Sequence, residues 1–145
     1  MTPPDHDVDG PKSPDIEGIS AHQHGDHDQG MKVRREVLGD AHVDRAEANT
    51  TEFTADFQDF ITRYAWGDVW SRDGLDRRTR SAITLAALVS LRAEGEIVIH
   101  VRGALRNGLT PEEIKEVILH TAVYAGVPAA NDAFRIAEAV IAEEA

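Results

Sequence analysis

Residues 75–92 constrain the fold more than any other part of the chain. Arg77, Arg78 and Arg80 open this stretch, and after Ser81 it is apolar nearly all round, through Ile83, Leu85, Leu88, Val89 and Leu91. A helix without a polar face is buried on most sides. The pattern therefore predicts an all-α bundle with this helix inside it. Helices of this kind often finish burying themselves in a symmetric assembly, so a homo-oligomer is expected.

Helical signals fill the rest. Asp40 begins a short first helix over residues 40–48. Phe53, Phe57, Phe60, Ile61 and Tyr64 recur at spacings of three and four and predict a helix over 51–66, ended by Gly67. A loop over 68–74 then carries Trp70. Residues 95–107 form the next helix, closed by Asn107-Gly108. Thr110, Pro111 and Glu113 supply an N-cap, a first-position proline and a capping-box acid. That helix stops at Gly126, and Pro128 opens the last one, which runs to about residue 143. About six helices result, and no useful period-2 strand pattern competes with them.

The chain has 145 residues, which suits one domain, and 41% hydrophobic content is enough for a core. No apolar run approaches bilayer length, and the first residues lack the basic and apolar regions of a signal peptide. The cytosol is the default compartment. Without cysteine, disulfides, thiolate metal sites and thiol chemistry are excluded. A net charge of −11 argues against nucleic acid and anionic membranes as partners. The acidity is uneven, however. Arginines cluster between positions 72 and 106, which leaves a small anionic substrate compatible with an acidic protein.

Residues 1–30 read as a disordered tail, rich in Pro, Asp, Gly and His, and Met31 is taken as the start of the ordered domain. His22, His24 and His27 lie among Asp26 and Asp28. A divalent-metal site and a solvated tail are both readings of that cluster. The second is adopted, because composition alone does not preorganise ligands.

Functional candidates lie between Trp66 and Asn131. Seven arginines and two histidines stand there among mostly apolar helices. Cations beside apolar surface are costly unless something pairs with them. His100 sits in Ile97-Val98-Ile99-His100-Val101, with Glu96 four residues earlier on the same helix face. A carboxylate there orients the imidazole and favours its protonated form, which suits a general acid or base. A plain surface contact and a satisfied core histidine are the alternatives. Arg77 and Arg80 share a face with Thr84, and with Arg72 they can grip a carboxylate. Arginine at a helix start opposes the helix dipole, a conflict that a bound anion removes. A solvated first turn is the alternative here. His120 and Tyr124, four apart, precede the small-residue turn Gly126 to Asn131 and are further candidates for a polar pocket wall. A buried histidine bonded to backbone is the alternative for His120. Trp66 and Trp70 read first as core and interface anchors, with Trp70 beside Arg72 a candidate pocket wall. His42 and Arg45 have weaker support. No HExxH spacing, phosphate loop or GxSxG elbow is present, so no metal is expected and cofactor-free chemistry is the simplest reading.

Several ordered motifs together carry a resemblance. They are Arg35-Glu36-Val37-Leu38-Gly39, His42-Val43-Asp44-Arg45, Ala65-Trp66-Gly67-Asp68-Val69-Trp70-Ser71-Arg72, Gly74-Leu75, Arg77 to Ser81, Asn107-Gly108-Leu109-Thr110, and His120 to Asn131. From residue 32 to about 142 the chain resembles the carboxymuconolactone decarboxylase family, of the wider AhpD-like all-helical superfamily. Asp73 departs from the proline usual after the loop arginine. The resemblance implies a helical bundle assembled as a trimer or hexamer. Peroxidase members of the superfamily carry Cys-x-x-Cys-x-x-x-His, where this chain has Ala93, Glu96 and His100. Thiol chemistry is thus lost while the histidine stays. Some members are fused to an enol-lactone hydrolase, and the tail could be a relic of such a linker. The implied reaction removes CO2 from 4-carboxymuconolactone, a dianionic lactone, to give 3-oxoadipate enol-lactone in protocatechuate catabolism by the β-ketoadipate pathway. On this expectation Arg72, Arg77 and Arg80 hold the acetate carboxylate, His100 with Glu96 handles the proton, and His120, Tyr124 and Trp70 line the pocket. Two alternatives remain: a cofactor-free enzyme acting on another small anion, and a non-catalytic binding protein of the same fold.

Overall fold

The computed structural model describes residues 25–145. His22 and His24 of the proposed metal cluster lie outside the described residues. His27 contacts only its neighbour Asp28 in the described part. Every regular element among the described residues is helical, in the order α1 His27–Leu38, α2 Asp40–Ala48, α3 Ala55–Ile61, α4 Arg77–Leu91, α5 Glu94–Arg106, α6 Pro111–Ala125 and α7 Val127–Glu144. A π-helical segment, Thr62–Trp70, continues α3 without a break.

Several expectations change, Trp70 lying in the π-helical segment rather than in a loop over 68–74. Helix α1 precedes the one expected as first and opens before Met31. The Asp26 side chain caps it by accepting from the Asp28 N–H at 3.0 Å. The sequence hid α1 because its first turns hold no large aliphatic residue. Its apolar signal comes only from Val33, Val37 and Leu38, all buried, and the partly buried Met31. Another change is at Gly67, which does not end a helix. It lies inside the π-helical segment, where α1 crosses. A Cβ on Gly67 would sit 3.2 Å from the Asp26 carbonyl oxygen. One on Gly30 would sit 3.0 Å from the Gly67 nitrogen and closer still to the Thr62 carbonyl oxygen. These glycines serve close backbone approach rather than termination.

The expected signals hold elsewhere. Asp76 caps α4 by accepting from the Thr79 N–H at 2.7 Å. Thr110 and Glu113 form the full capping box on α6. The bundle α4–α7 closes on Leu85, Val89, Ile97, Val101, Ile114, Ile118 and the alanines of α7. A second core joins Val33, Val37, Leu38, Val43 and Trp66, with Ile99 packed against it. Helix α5 is the wall shared by both. Ile97, Val101 and Ala104 face the bundle, while Ile99 and Gly103 face α1. Burial of α4 within one chain is less complete than its composition predicts. Ser81, Leu85 and Val89 are buried, but Ile83 and Leu91 are exposed.

Candidate active site

His100 stands at the seam of the two cores. Its position follows from α5, whose residues 96, 100 and 103 recur at four and three and so share one face. Only 13% of the His100 side chain is exposed. Its ring stacks on Trp66, with centroids 6.4 Å apart and planes 9° from parallel. Trp66 in turn packs on Trp70 at 5.2 Å. Both tryptophans come from the π-helical segment, so the α1 crossing that seats this segment also seats the ring beside His100.

Glu96 Oε2 lies 3.9 Å from His100 Nε2, within ion-pair reach but too far for a hydrogen bond. The expected protonated histidine is not what the environment favours. The His100 pKa is lowered to about 4, chiefly by burial and then by the nearby His42. Desolvation outweighs the carboxylate because Glu96 is largely exposed. The imidazole is therefore neutral at neutral pH.

His42, from α2, is a second neutral imidazole. Burial lowers its pKa first, then the positive charges of Arg34 and Arg45, with Glu96 opposing and Arg102 adding. Arg34 escaped the sequence reading. It is 4% exposed, and its guanidinium donates to Thr62 Oγ1 at 3.2 Å and Gln58 Oε1 at 3.1 Å. Its Nε has no partner among the described residues. The neighbourhood of His42 and His100 is thus buried, neutral in its imidazoles and positive in its field. The signal for Arg34 was its place between Val33 and Val37, readable only once α1 is known to be a helix.

The other candidates are dispersed. Arg77 pairs with Glu36 at 2.7 Å and ties α4 to α1. Arg80 donates to the Arg72 carbonyl at 3.1 Å, and its Nε is buried without a partner among the described residues. Arg72 is itself exposed. Arg78 bonds the Gly108 carbonyl and Glu113, clamping the start of α6. His120 and Tyr124 are exposed on α6, with ring centroids 5.3 Å apart and planes tilted by 43°. Among the described residues, no hydrogen bond, ion pair or ring contact joins them to His100. Beside His42, by contrast, a cavity of about 360 Å³ is lined by Arg45, Ile99, Arg102 and Arg106.

No helix among the described residues is long and apolar enough to cross a membrane. The chain is 53% identical to a 4-carboxymuconolactone decarboxylase of Acinetobacter baylyi, across 77% of this chain and 84% of that one. It is 46% identical to the nitrosuccinic acid decarboxylase npaB of Metarhizium robertsii, across 79% and 80% of the two chains. A 4-carboxymuconolactone decarboxylase of Pseudomonas putida is 57% identical over 29% of this chain and 88% of its own. The model of the carboxymuconolactone decarboxylase family matches residues 55–139. With a family match over more than half its length and relatives this similar across most of theirs, the chain belongs to the carboxymuconolactone decarboxylase family.

Proposed function

We propose that this chain is a carboxy-lyase that converts 4-carboxymuconolactone into 3-oxoadipate enol-lactone and CO2, a step of protocatechuate breakdown by the β-ketoadipate pathway. The observation that carries this reading is the 53% identity with a decarboxylase of that name across most of both chains.

The chemistry suits the site. The bond from the γ-carbon to its carboxylate breaks and CO2 leaves. The electron pair passes through the ring double bond to the lactone carbonyl oxygen. The resulting dienolate takes a proton on the carbon beside the carbonyl. The lactone is its own electron sink, so the reaction calls for no imine-forming cofactor. Negative charge grows on one oxygen, and a fixed donor in a dry site stabilises it best there. A neutral imidazole can be that donor, as the hydrogen-bonding partner of a developing enolate. His100 takes this role, and Glu96, 3.9 Å away, is its ion-pair partner once the ring is protonated. A dianion bound beside it raises its pKa, which also opens the way for proton delivery. Trp66 and Trp70 keep water from the leaving carboxylate, whose loss of charge is favoured by desolvation.

A second reading has its own support in the nitrosuccinic acid decarboxylase relative. The two substrates share a pattern. In each, the carbon that loses CO2 adjoins an electron sink and also bears a carboxymethyl arm. Purified protein supplied with either compound, followed by CO2 release and by loss of lactone absorbance, separates the readings. Turnover of the lactone is expected, and turnover of neither compound would remove the decarboxylase assignment. His100→Gln should lower kcat about a hundredfold with an unchanged circular dichroism spectrum, the usual scale for a positioned proton-handling group.

The reading also places the enzyme in the cytosol as a homo-oligomer, trimer or hexamer. Exposed Ile83, Leu91, Val123 and Tyr124 support the assembly. His120 and Tyr124 would then complete a site only across a subunit boundary. Light scattering that finds monomer alone at micromolar concentration would remove the assembly.

A further inference from the structure

We propose that the cavity between α2 and α5 holds the carboxymethyl carboxylate of the substrate, gripped by Arg45, Arg102 and Arg106. This rests on the decarboxylase reading, and it puts the arm away from Arg72, Arg77 and Arg80. Arg77 is already bound to Glu36, and Arg80 to the Arg72 carbonyl.

Four observations carry it. First, the lining is cationic. It brings three guanidiniums and the His42 imidazole together with two acids, Asp40 and Glu144. Asp40 is engaged by Arg35 at 3.1 Å, which leaves Glu144 as the acid committed to this cavity. Secondly, the Arg106 guanidinium lies against the Gly39 backbone. A Cβ there would meet its Nη2 at 2.7 Å and its Cζ at 2.9 Å, so a side chain at position 39 would displace it. Arg106 Nη1 also donates to the Val37 carbonyl at 3.3 Å, which fixes the plane of the fork. Thirdly, the place already accepts carboxylates. Arg102 holds Glu143 at 2.7 Å and Glu144 at 3.3 Å, both from the end of α7. Glu144, which lines the cavity, stands where a ligand carboxylate would, and the substrate has to compete with it. Fourthly, Arg45 makes no ion pair among the described residues, although it lines a cavity of about 360 Å³, ample for a six- or seven-carbon acid.

The cavity also communicates with the reacting end. His42 is in its lining and lies near enough to His100 that protonation of one opposes protonation of the other. Ile99, also in the lining, is the chain neighbour of His100. An arm anchored on the arginines would therefore hold the carbon that loses CO2 on the His42 side, within the field of both imidazoles. The ligand class is a small dicarboxylate whose second carboxylate is not the one released. A monocarboxylate of the same size should bind poorly.

The test uses the full chain titrated with succinate and with propionate by calorimetry, beside steady-state assays on the lactone. Wild type should prefer succinate. Arg45→Met and Arg102→Met should each raise the succinate Kd and the lactone KM about tenfold or more, with kcat changed only a few-fold, because a charge-assisted pair is lost equally from ground and transition states. Arg45→Lys should recover part of the loss. Arg45 has no ion-pair partner to lose, so Arg45→Met stays readable even if Arg102→Met disturbs the end of α7. Unchanged Kd and KM in Arg45→Met and Arg102→Met would overturn the subsite while leaving the decarboxylase standing. A chain that binds succinate through both arginines but decarboxylates nothing would overturn the activity while supporting the subsite. Equal affinity for succinate and propionate would also overturn the subsite.

Discussion

Gly30→Ala sets two physical effects of opposite sign against each other, and the α1 crossing decides between them. Gly30 lies within α1, where alanine is favoured over glycine by about 1 kcal/mol on helix propensity alone. The new Cβ, however, would stand 3.0 Å from both the Gly67 nitrogen and the Thr62 carbonyl carbon, and nearer still to the Thr62 oxygen. All of these are backbone atoms, so no rotamer change relieves the contact. Restoring an ordinary carbon contact of about 3.5–4.0 Å separates the two segments by roughly 1 Å. Overpacking of this kind costs about 1–3 kcal/mol, sometimes more. The crossing also seals the core of Val33, Val37, Leu38, Val43 and Trp66, whose contacts loosen with it. The net expectation is a loss of about 1–2 kcal/mol, or a melting temperature lower by roughly 3–10 °C. Because Trp66 rides on the displaced segment, turnover should fall as well. Gly95→Ala is the control. Gly95 is also helical, but a Cβ there meets nothing within 4 Å, so propensity acts alone and the variant should gain up to about 1 kcal/mol. Urea unfolding and thermal melts of both variants, with tryptophan fluorescence, read the difference. A Gly30→Ala protein as stable as wild type, or more so, would refute the close crossing and the seat it provides for Trp66.

Two further outcomes follow from the electrostatics. The folded His100 pKa of about 4 lies below its ordinary 6.5, so between those values the unfolded chain binds more protons than the folded one. Stability is then fully present above pH 6.5 and falls by about 3 kcal/mol as pH drops to 4, a slope that His100→Gln should largely remove in urea titrations at several pH values. Glu36, Asp76 and Glu113, whose pKa values are lowered by their partners, lose their contributions at more acidic pH, below 4.5. Glu144→Gln should lower the lactone KM about two-fold by releasing Arg102 from one competing carboxylate, and initial rates would show it. A raised KM would mean that Glu144 helps the ligand instead.

Helix signals were legible where a single residue type performs a local task. Thr110, Pro111 and Glu113 announced α6 to the residue, because capping chemistry is contained within four positions. The π-helical segment was not legible. Nothing in Thr62–Trp70 marks a change from four- to five-residue hydrogen bonding, and Gly67 carries the same letter whether it ends a helix or lets another cross. The same limit governed the site. His100 and Glu96 are legible as a pair because they lie four apart on one helix. Arg34 and His42 reach the same neighbourhood from α1 and α2, and only tertiary packing brings them there. The protonation of His100 was misread for a related reason: the carboxylate partner is visible in sequence, whereas the depth of burial that outweighs it is not.

The divided roles of arginine and imidazole have a consequence for how variants should behave. The ligand carries two negative charges before and after CO2 departs, since the charge lost from one carboxylate reappears on the lactone oxygen. A guanidinium on the carboxymethyl arm meets an unchanged charge throughout. It binds substrate and transition state alike, and its removal raises KM without lowering kcat. On the proposed mechanism the His100 N–H meets a charge that grows on the lactone oxygen along the reaction, so its removal lowers kcat. Burial keeps both imidazoles neutral, aided at His42 by Arg34, Arg45 and Arg102, and a dianion among those arginines opposes the field that His42 feels. Binding on one side therefore prepares the proton chemistry on the other. Arg45→Met and His100→Gln should split cleanly between KM and kcat. A reversed split would place the reacting carbonyl over the arginines and the arm against His100.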